Sequence, residues 1–162
     1  MSELKIGDKA PEFRLPTDGG DEISSTALKG HKVILYFYPK DNTPGCTTQA
    51  CGFRDNLDAL DKLNAKVVGI SKDSIKKHDN FKAKHGLNFP LASDENSDVC
   101  ERYGVWKEKS MYGKKFMGIE RTTFLIDEDG NISQIWRKVK VKEHMDEIRD
   151  ALKAHNSMSA NR

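Results

Sequence analysis

Apolar positions along the chain fall into two patterns, and their alternation implies the fold. "HKVILYFYP", residues 31–39, is a continuous apolar, β-rich run of the length of a strand buried on both faces, and it ends at Pro39. "AKVVGIS", residues 65–71, is a second such run. Between them Ala50, Phe53, Leu57 and Leu60 recur at helical spacing through "CTTQACGFRDNLDALDKLN". "KDSIKKHDNFKAKHG" reads as a helix with a polar start at Asp73 and Ser74 and a stop at Gly86. A short strand around Leu91 and a helical turn through "SDVCERYG" follow.

Two hairpins complete the pattern. "PEFRLPTDGGDEIS" carries short alternating pieces around Asp18, Gly19, Gly20 and Asp21, and "RTTFLIDEDGNISQIWRKV" has two β-rich segments around Asp129 and Gly130. "KEHMDEIRDALKAH" predicts an amphipathic closing helix, and residues 156–162, "NSMSANR", a frayed tail. Strands alternating with helices imply an α/β domain with a mixed central β-sheet flanked by helices and an N-terminal β-hairpin. No repeat, low-complexity segment or linker divides the chain, so residues 1–162 are expected to form one domain.

Composition narrows the function classes. The formal net charge is +2, from 27 basic and 25 acidic residues interspersed along the chain, too balanced to imply a nucleic-acid or acidic-membrane partner. "KVKVK", residues 138–142, is the most basic patch and is expected to be a solvated strand edge. No apolar run approaches the roughly 18 residues of a membrane span, and "MSELKIGDKAPEF" lacks both a basic cluster and an apolar core of a signal peptide. The expected location is the cytoplasm. Three cysteines there do not read as a disulfide framework, which leaves catalysis or metal binding as their expected use.

Two of those cysteines stand five residues apart in "FYPKDNTPGCTTQACGF", residues 37–53. Cys46 follows a buried strand and a turn containing Pro44 and Gly45, and falls in the first turn of the expected helix. Unpaired N–H groups and the positive end of the helix dipole favour a thiolate there. Open α/β folds place their active sites at such strand ends. The same residue also belongs to the stripe Cys46, Ala50, Phe53 and Leu57, so a plain packing role is the competing reading. Thr43, three residues upstream, and the second thiol at Cys51 count against it.

At these residues the sequence resembles a known family. Pro39, Thr43 and Cys46 form a Pro, three residues, Thr, two residues, Cys pattern similar to the active-site signature of peroxiredoxins. "YFYPKDNTPGCTTQACGFRD" resembles the bacterioferritin-comigratory, or Q-type, subfamily, and the similarity continues through "NFPLASDENSDVCERYGVW" and "RTTFLIDEDG". The resemblance implies a thioredoxin-like fold and a thiol peroxidase acting on hydrogen peroxide and organic hydroperoxides. It implies that Cys46 is the peroxidatic cysteine, oxidised to sulfenic acid, and that Cys51 resolves it to an intramolecular disulfide reduced by thioredoxin or a similar dithiol protein. Thr43 and Arg121 would complete the peroxide site, with Pro39 shielding it. Gln49 departs from the Glu that many peroxiredoxins outside the subfamily carry three residues after the peroxidatic cysteine, and it is left out of the catalytic set.

The remaining candidates are weaker. Cys100 beside Val99 is expected to be a buried structural thiol. The histidines show no pair at ligand spacing near a cysteine, and Cys46 and Cys51 supply only half a zinc site, so neither metal nor cofactor is expected. Trp106, Trp136 and Tyr112 are expected to pack, although "VWKEKSMYGKKFMG" lies just before Arg121 and is placed to line the site entrance. Without the resemblance, Arg121 reads as an exposed arginine at a strand start. A thioredoxin-like disulfide carrier and a non-enzymatic binding or chaperone domain are the competing functions; carriers usually hold Cys-x-x-Cys, whereas four residues intervene here. A monomer is the expected state.

Overall fold

A computed structural model describes the backbone of residues 3–160 and the side chains of residues 3–154. The chain builds β1 (Arg14–Pro16), β2 (Glu22–Ser24), β3 (Lys32–Phe37), α1 (Pro44–Lys62), β4 (Ala65–Ser71), α2 (Ile75–His85), β5 (Leu91–Ser93), α3 (Val99–Arg102), β6 (Trp106–Met111), β7 (Lys114–Ile119), β8 (Thr122–Ile126), β9 (Ile132–Trp136) and α4 (Val141–Ala160). The central sheet has the order β5-β4-β3-β8-β9. β3, β4 and β5 run parallel, whereas β8 and β9 run antiparallel to their neighbours.

Side-chain alternation along β3 divides the core in two. Val33, Leu35 and Phe37 enter one cluster with Phe13, Leu15, Val99, Cys100, Tyr103 and Phe124. Ile34 and Tyr36 enter the other with Ala50, Phe53, Leu60, Phe81, Ile148 and Leu152, from α1, α2 and α4. Burial on both faces is why β3 is apolar from Val33 to Phe37 instead of alternating. Tyr36 lies opposite Gly69 on β4, where a Cβ would come within 2.8 Å of the tyrosine ring. The glycine thus makes room for the Tyr36 ring, which meets Phe53 in a tilted contact, 4.6 Å between centroids.

Helix punctuation follows the sequence signals. α2 starts at Ser74, whose side chain accepts from the Lys77 N–H, and stops at Gly86 in the left-handed conformation. The N-terminal hairpin pairs Arg14 with Ser24 and Pro16 with Glu22. It is pinned to the body by Asp18, which accepts from the Leu91 N–H at 2.9 Å and from Lys82 at 2.7 Å.

Four features differ from the sequence-based expectation, the first being that Tyr112, expected to pack, is 99% exposed. β6 and β7 form a separate two-stranded hairpin with Met111 opposite Lys114. Its two-residue loop is Tyr112 and Gly113, with φ of 53° and 78°. Both positive values mark the turn type that matches strand twist, but tyrosine is not among the residues that signal it. "KVKVK" is not a strand edge: Lys138 sits at φ 50°, and α4 begins at Val141. α4 also continues to Ala160, over most of the expected frayed tail; Asn161 and Arg162 lie outside the described residues.

Candidate active site

Strand register brings the site together. Phe37, the last residue of β3, pairs with Thr122, the first of β8, so Arg121 lies across from the point where the chain leaves β3 for α1. Two segments 75 residues apart thereby meet at Cys46 and Arg121. Residues 38–43 form the connecting loop, and Thr43 is the N-cap of α1 with extended backbone. Pro44 is tolerated at the first helical position because its missing N–H is not needed there. The first helical bond from this turn runs from the Thr47 N–H to the Thr43 carbonyl, 2.8 Å, so the N–H groups of Gly45 and Cys46 precede it.

Cys46 is 1% exposed. Arg121 donates through Nη2 to its Sγ at 3.1 Å and through Nη1 to Gln49 Oε1 at 2.6 Å. The guanidinium has only donors, so the glutamine must present its oxygen, and one planar group bridges two positions three apart on the helix. An anionic sulfur is the better acceptor for such a donor. Gly45 explains the close approach, since a Cβ there would lie 3.2 Å from Arg121 Nη2. Lys109 on β6 adds a second cation: burial first, then the Arg121 charge, lowers its pKa, while the field of Cys46 opposes the change.

The site residues expected from sequence are therefore only partly in contact. Cys46 and Arg121 touch. Thr43 is half-buried, and its hydroxyl donates to the Lys40 carbonyl at 3.0 Å, which leaves its oxygen free to accept. Pro39 is half-buried at the other end of the same loop. Cys51 lies within the unbroken α1, half-buried, and all three cysteines are free thiols. Five helical residues separate Cα atoms by roughly 8.5 Å, beyond the limit of about 7 Å for a disulfide.

Gln49 corrects the sequence reading, which set it aside for lacking a carboxylate. A neutral amide oxygen suffices to hold the arginine, and the three-residue spacing from Cys46 was the available signal. Cys100, by contrast, is fully buried on α3, its N–H donating to Asp94 Oδ2 at 2.8 Å. Burial, and then the Asp94 charge, pushes its thiol far above the usual cysteine range. No cluster of His, Cys, Asp and Glu able to hold a metal occurs among the described residues.

Comparison with known proteins agrees with this geometry. The AhpC/TSA family matches residues 6–135. A Coxiella burnetii protein assigned as a peroxiredoxin bcp is 59% identical over 90% of this chain and 96% of its own length. Peroxiredoxin Bcp of Escherichia coli K12 is 49% identical over 96% of this chain and 99% of its own. Among solved structures, the Xanthomonas campestris bacterioferritin comigratory protein, described for alkyl peroxide reduction in trapped intermediate/ligand complexes, superposes with a TM-score of 0.84 at 50% identity, covering 88% of this chain and 91% of that one. The fold is thioredoxin-like, as expected. With a buried cysteine against a clamped arginine at the start of α1, and relatives of this identity along nearly its whole length, the chain belongs to the AhpC/TSA family as a peroxiredoxin of the Bcp, or Q, type, a cysteine-based thiol peroxidase.

Proposed function

We propose that Cys46 is the peroxidatic and Cys51 the resolving cysteine of a single-domain, monomeric, cytoplasmic enzyme that reduces hydrogen peroxide and organic hydroperoxides at the expense of thioredoxin or a similar dithiol protein. The observation that carries this reading is the 3.1 Å contact between Arg121 Nη2 and Cys46 Sγ at a helix start.

In the first step the Cys46 thiolate attacks the terminal oxygen of the hydroperoxide. The O–O bond breaks, an S–O bond forms, and the departing alkoxide, or hydroxide from hydrogen peroxide, takes up a proton to leave as alcohol or water. Negative charge grows on that oxygen, and one preorganised donor aimed at it is worth roughly 3 kcal/mol. Arg121 is that donor. Thr43, its own hydrogen committed to the Lys40 carbonyl, accepts from the incoming hydroperoxide O–H. Pro39 shields the loop side of the site.

In the second step the Cys51 thiol attacks the sulfenic sulfur, a disulfide forms and water leaves. The helix must first unwind around Cys46 and Cys51, since its geometry keeps them apart. "TTQACG" offers weak helix formers and Gly52 for this purpose. The dithiol reductant then transfers two electrons and two protons to restore both thiols.

Peroxide consumption measured with thioredoxin, its reductase and a nicotinamide reductant tests the reading. Turnover that requires peroxide and gives a 46 to 51 disulfide by mass spectrometry is the expected result. Nicotinamide oxidation without peroxide would indicate a disulfide carrier, and no turnover a non-enzymatic domain.

A further inference from the structure

Asp41 lies two residues before Thr43 and is buried, at 8% exposure, although it is a carboxylic acid. Its Oδ1 accepts from the Tyr38 hydroxyl at 2.6 Å, and its Oδ2 lies 2.6 Å from His78 Nδ1. Its backbone N–H donates to Asp73 Oδ2 at 2.7 Å. One loop residue is thus fastened to the first residue of the loop, to α2 and to the turn before α2. Asn42 follows in the left-handed conformation, φ 62°, and Thr43 then opens α1.

His78 is fully buried, and its Nε2 sits 3.1 Å from the Ala92 carbonyl oxygen on β5. A carbonyl only accepts, so Nε2 carries a hydrogen. A second hydrogen must lie between Nδ1 and the Asp41 carboxyl, whichever of the two holds it. Asp41 and His78 therefore share a proton sealed from water, and removing either partner strands the other. What the pair holds is the segment that the catalytic cycle has to keep and then release.

We infer that Asp41 and His78 are positioning residues for the peroxidatic loop. Their bond keeps residues 38–43 in the arrangement that places Thr43 at the start of α1 and Cys46 against Arg121, and its strength sets how readily the first turns of α1 unwind. The inference rests on the reading of Cys46 as oxidised by peroxide and Cys51 as resolving it. Loosening the bond should act oppositely on the two steps, slowing the one that needs the folded site and speeding the one that needs the open helix.

Stopped-flow fluorescence of the full chain separates the two, because oxidation depends on peroxide concentration and disulfide formation does not. In Asp41→Asn and in His78→Gln, oxidation should slow by about tenfold and disulfide formation accelerate by about fivefold, with the double variant within about twofold of either single one because both act through one bond. Tyr38→Phe, which removes one donor and keeps the ring, should slow oxidation and speed disulfide formation by about twofold or more each and guards against loss of folding in the others. Both steps unchanged, both slowed together, or additive effects in the double variant would overturn the inference. A wild-type protein that forms no 46 to 51 disulfide would remove the underlying reading along with it, whereas wild-type disulfide formation with unaltered variants would remove the positioning role only.

Discussion

Gln49 Oε1 holds Arg121 Nη1 at 2.6 Å, one helical turn from the cysteine whose sulfur meets the other arm of the same guanidinium. The glutamine is 4% exposed, so water does not replace it when it is lost. Gln49→Leu should slow Cys46 oxidation by about tenfold, and Gln49→Glu, which keeps an oxygen acceptor, should stay within about threefold of wild type. Stopped-flow oxidation measures both. A leucine variant as fast as wild type would remove the clamp from the mechanism.

Arg121 has to reach sulfur and amide simultaneously, and lysine has no planar fork with which to do so. Arg121→Lys should therefore slow oxidation by about a hundredfold while the reduction of a preformed disulfide changes little, since the role proposed for the charge is at the departing oxygen. Gly45→Ala tests the same geometry from the opposite side, because its Cβ would press on Nη2. It should slow oxidation in the same direction. A rate for Arg121→Lys within twofold of wild type would contradict the assignment.

Cys46 and Cys100 are both buried thiols, but Cys46 accepts a hydrogen bond from Arg121, whereas Lys72 acts on Cys100 only through its field and against the larger effects of burial and Asp94. Cys46→Ser should abolish turnover, while Cys100→Ser should retain nearly all of it. The Cys100 thiol, raised by burial and Asp94, should also resist alkylation by iodoacetamide in the folded protein. Equal loss of activity in the two folded variants, or ready labelling of Cys100, would contradict this division.

Helix geometry keeps Cys46 and Cys51 out of bonding reach, so oxidation should be accompanied by local unfolding. Hydrogen exchange across residues 43–53 should be protected in the reduced protein and accelerate after peroxide treatment, while β3 and β8 remain protected. Unaltered protection in a sample carrying the 46 to 51 bond would rule out the opening.

His144 on α4 is buried, its Nε2 facing Thr123 Oγ1 at 2.8 Å and its Nδ1 without a hydrogen-bond partner among the described residues, although Glu147 Oε1 lies 3.7 Å from it. Burial, and secondarily the Arg121 charge, lowers its pKa to about 4 from an ordinary 6.5. The unfolded chain thus binds a proton that the folded one refuses. Stability is intact above pH of about 6.5 and falls by about 3 kcal/mol as the pH drops through about 4. Urea unfolding between those limits should show a shallower pH dependence in His144→Gln than in wild type. Parallel curves would show that His144 does not supply the slope.

Much of the architecture was legible in the pattern of residues. The buried runs before Pro39 and through "AKVVGIS" became β3 and β4, and Ser74 and Gly86 bound α2, because strand alternation, capping and left-handed turns are local properties of the backbone. The β6–β7 hairpin escaped notice since its turn, Tyr112 and Gly113, lacks the usual residues and its strands bear exposed lysines, methionine and phenylalanine with no clear alternation.

For the site, the sequence by itself determined a cysteine at a helix start behind a strand end, with Thr43 and Pro39 on the same loop, since all of these are neighbours in the chain. Only the tertiary structure decided the rest. The three-residue spacing from Cys46 puts Gln49 on the same helix face but does not show that Arg121 meets it, and nothing local to Asp41 and His78, on separate elements, marks them as bonded. Arg121 reads as an exposed strand-end residue until the antiparallel pairing of β3 with β8 sets it opposite the end of β3. Those relationships depend on long-range register and on burial, which turn donors and acceptors that water would otherwise satisfy into partners that must find each other.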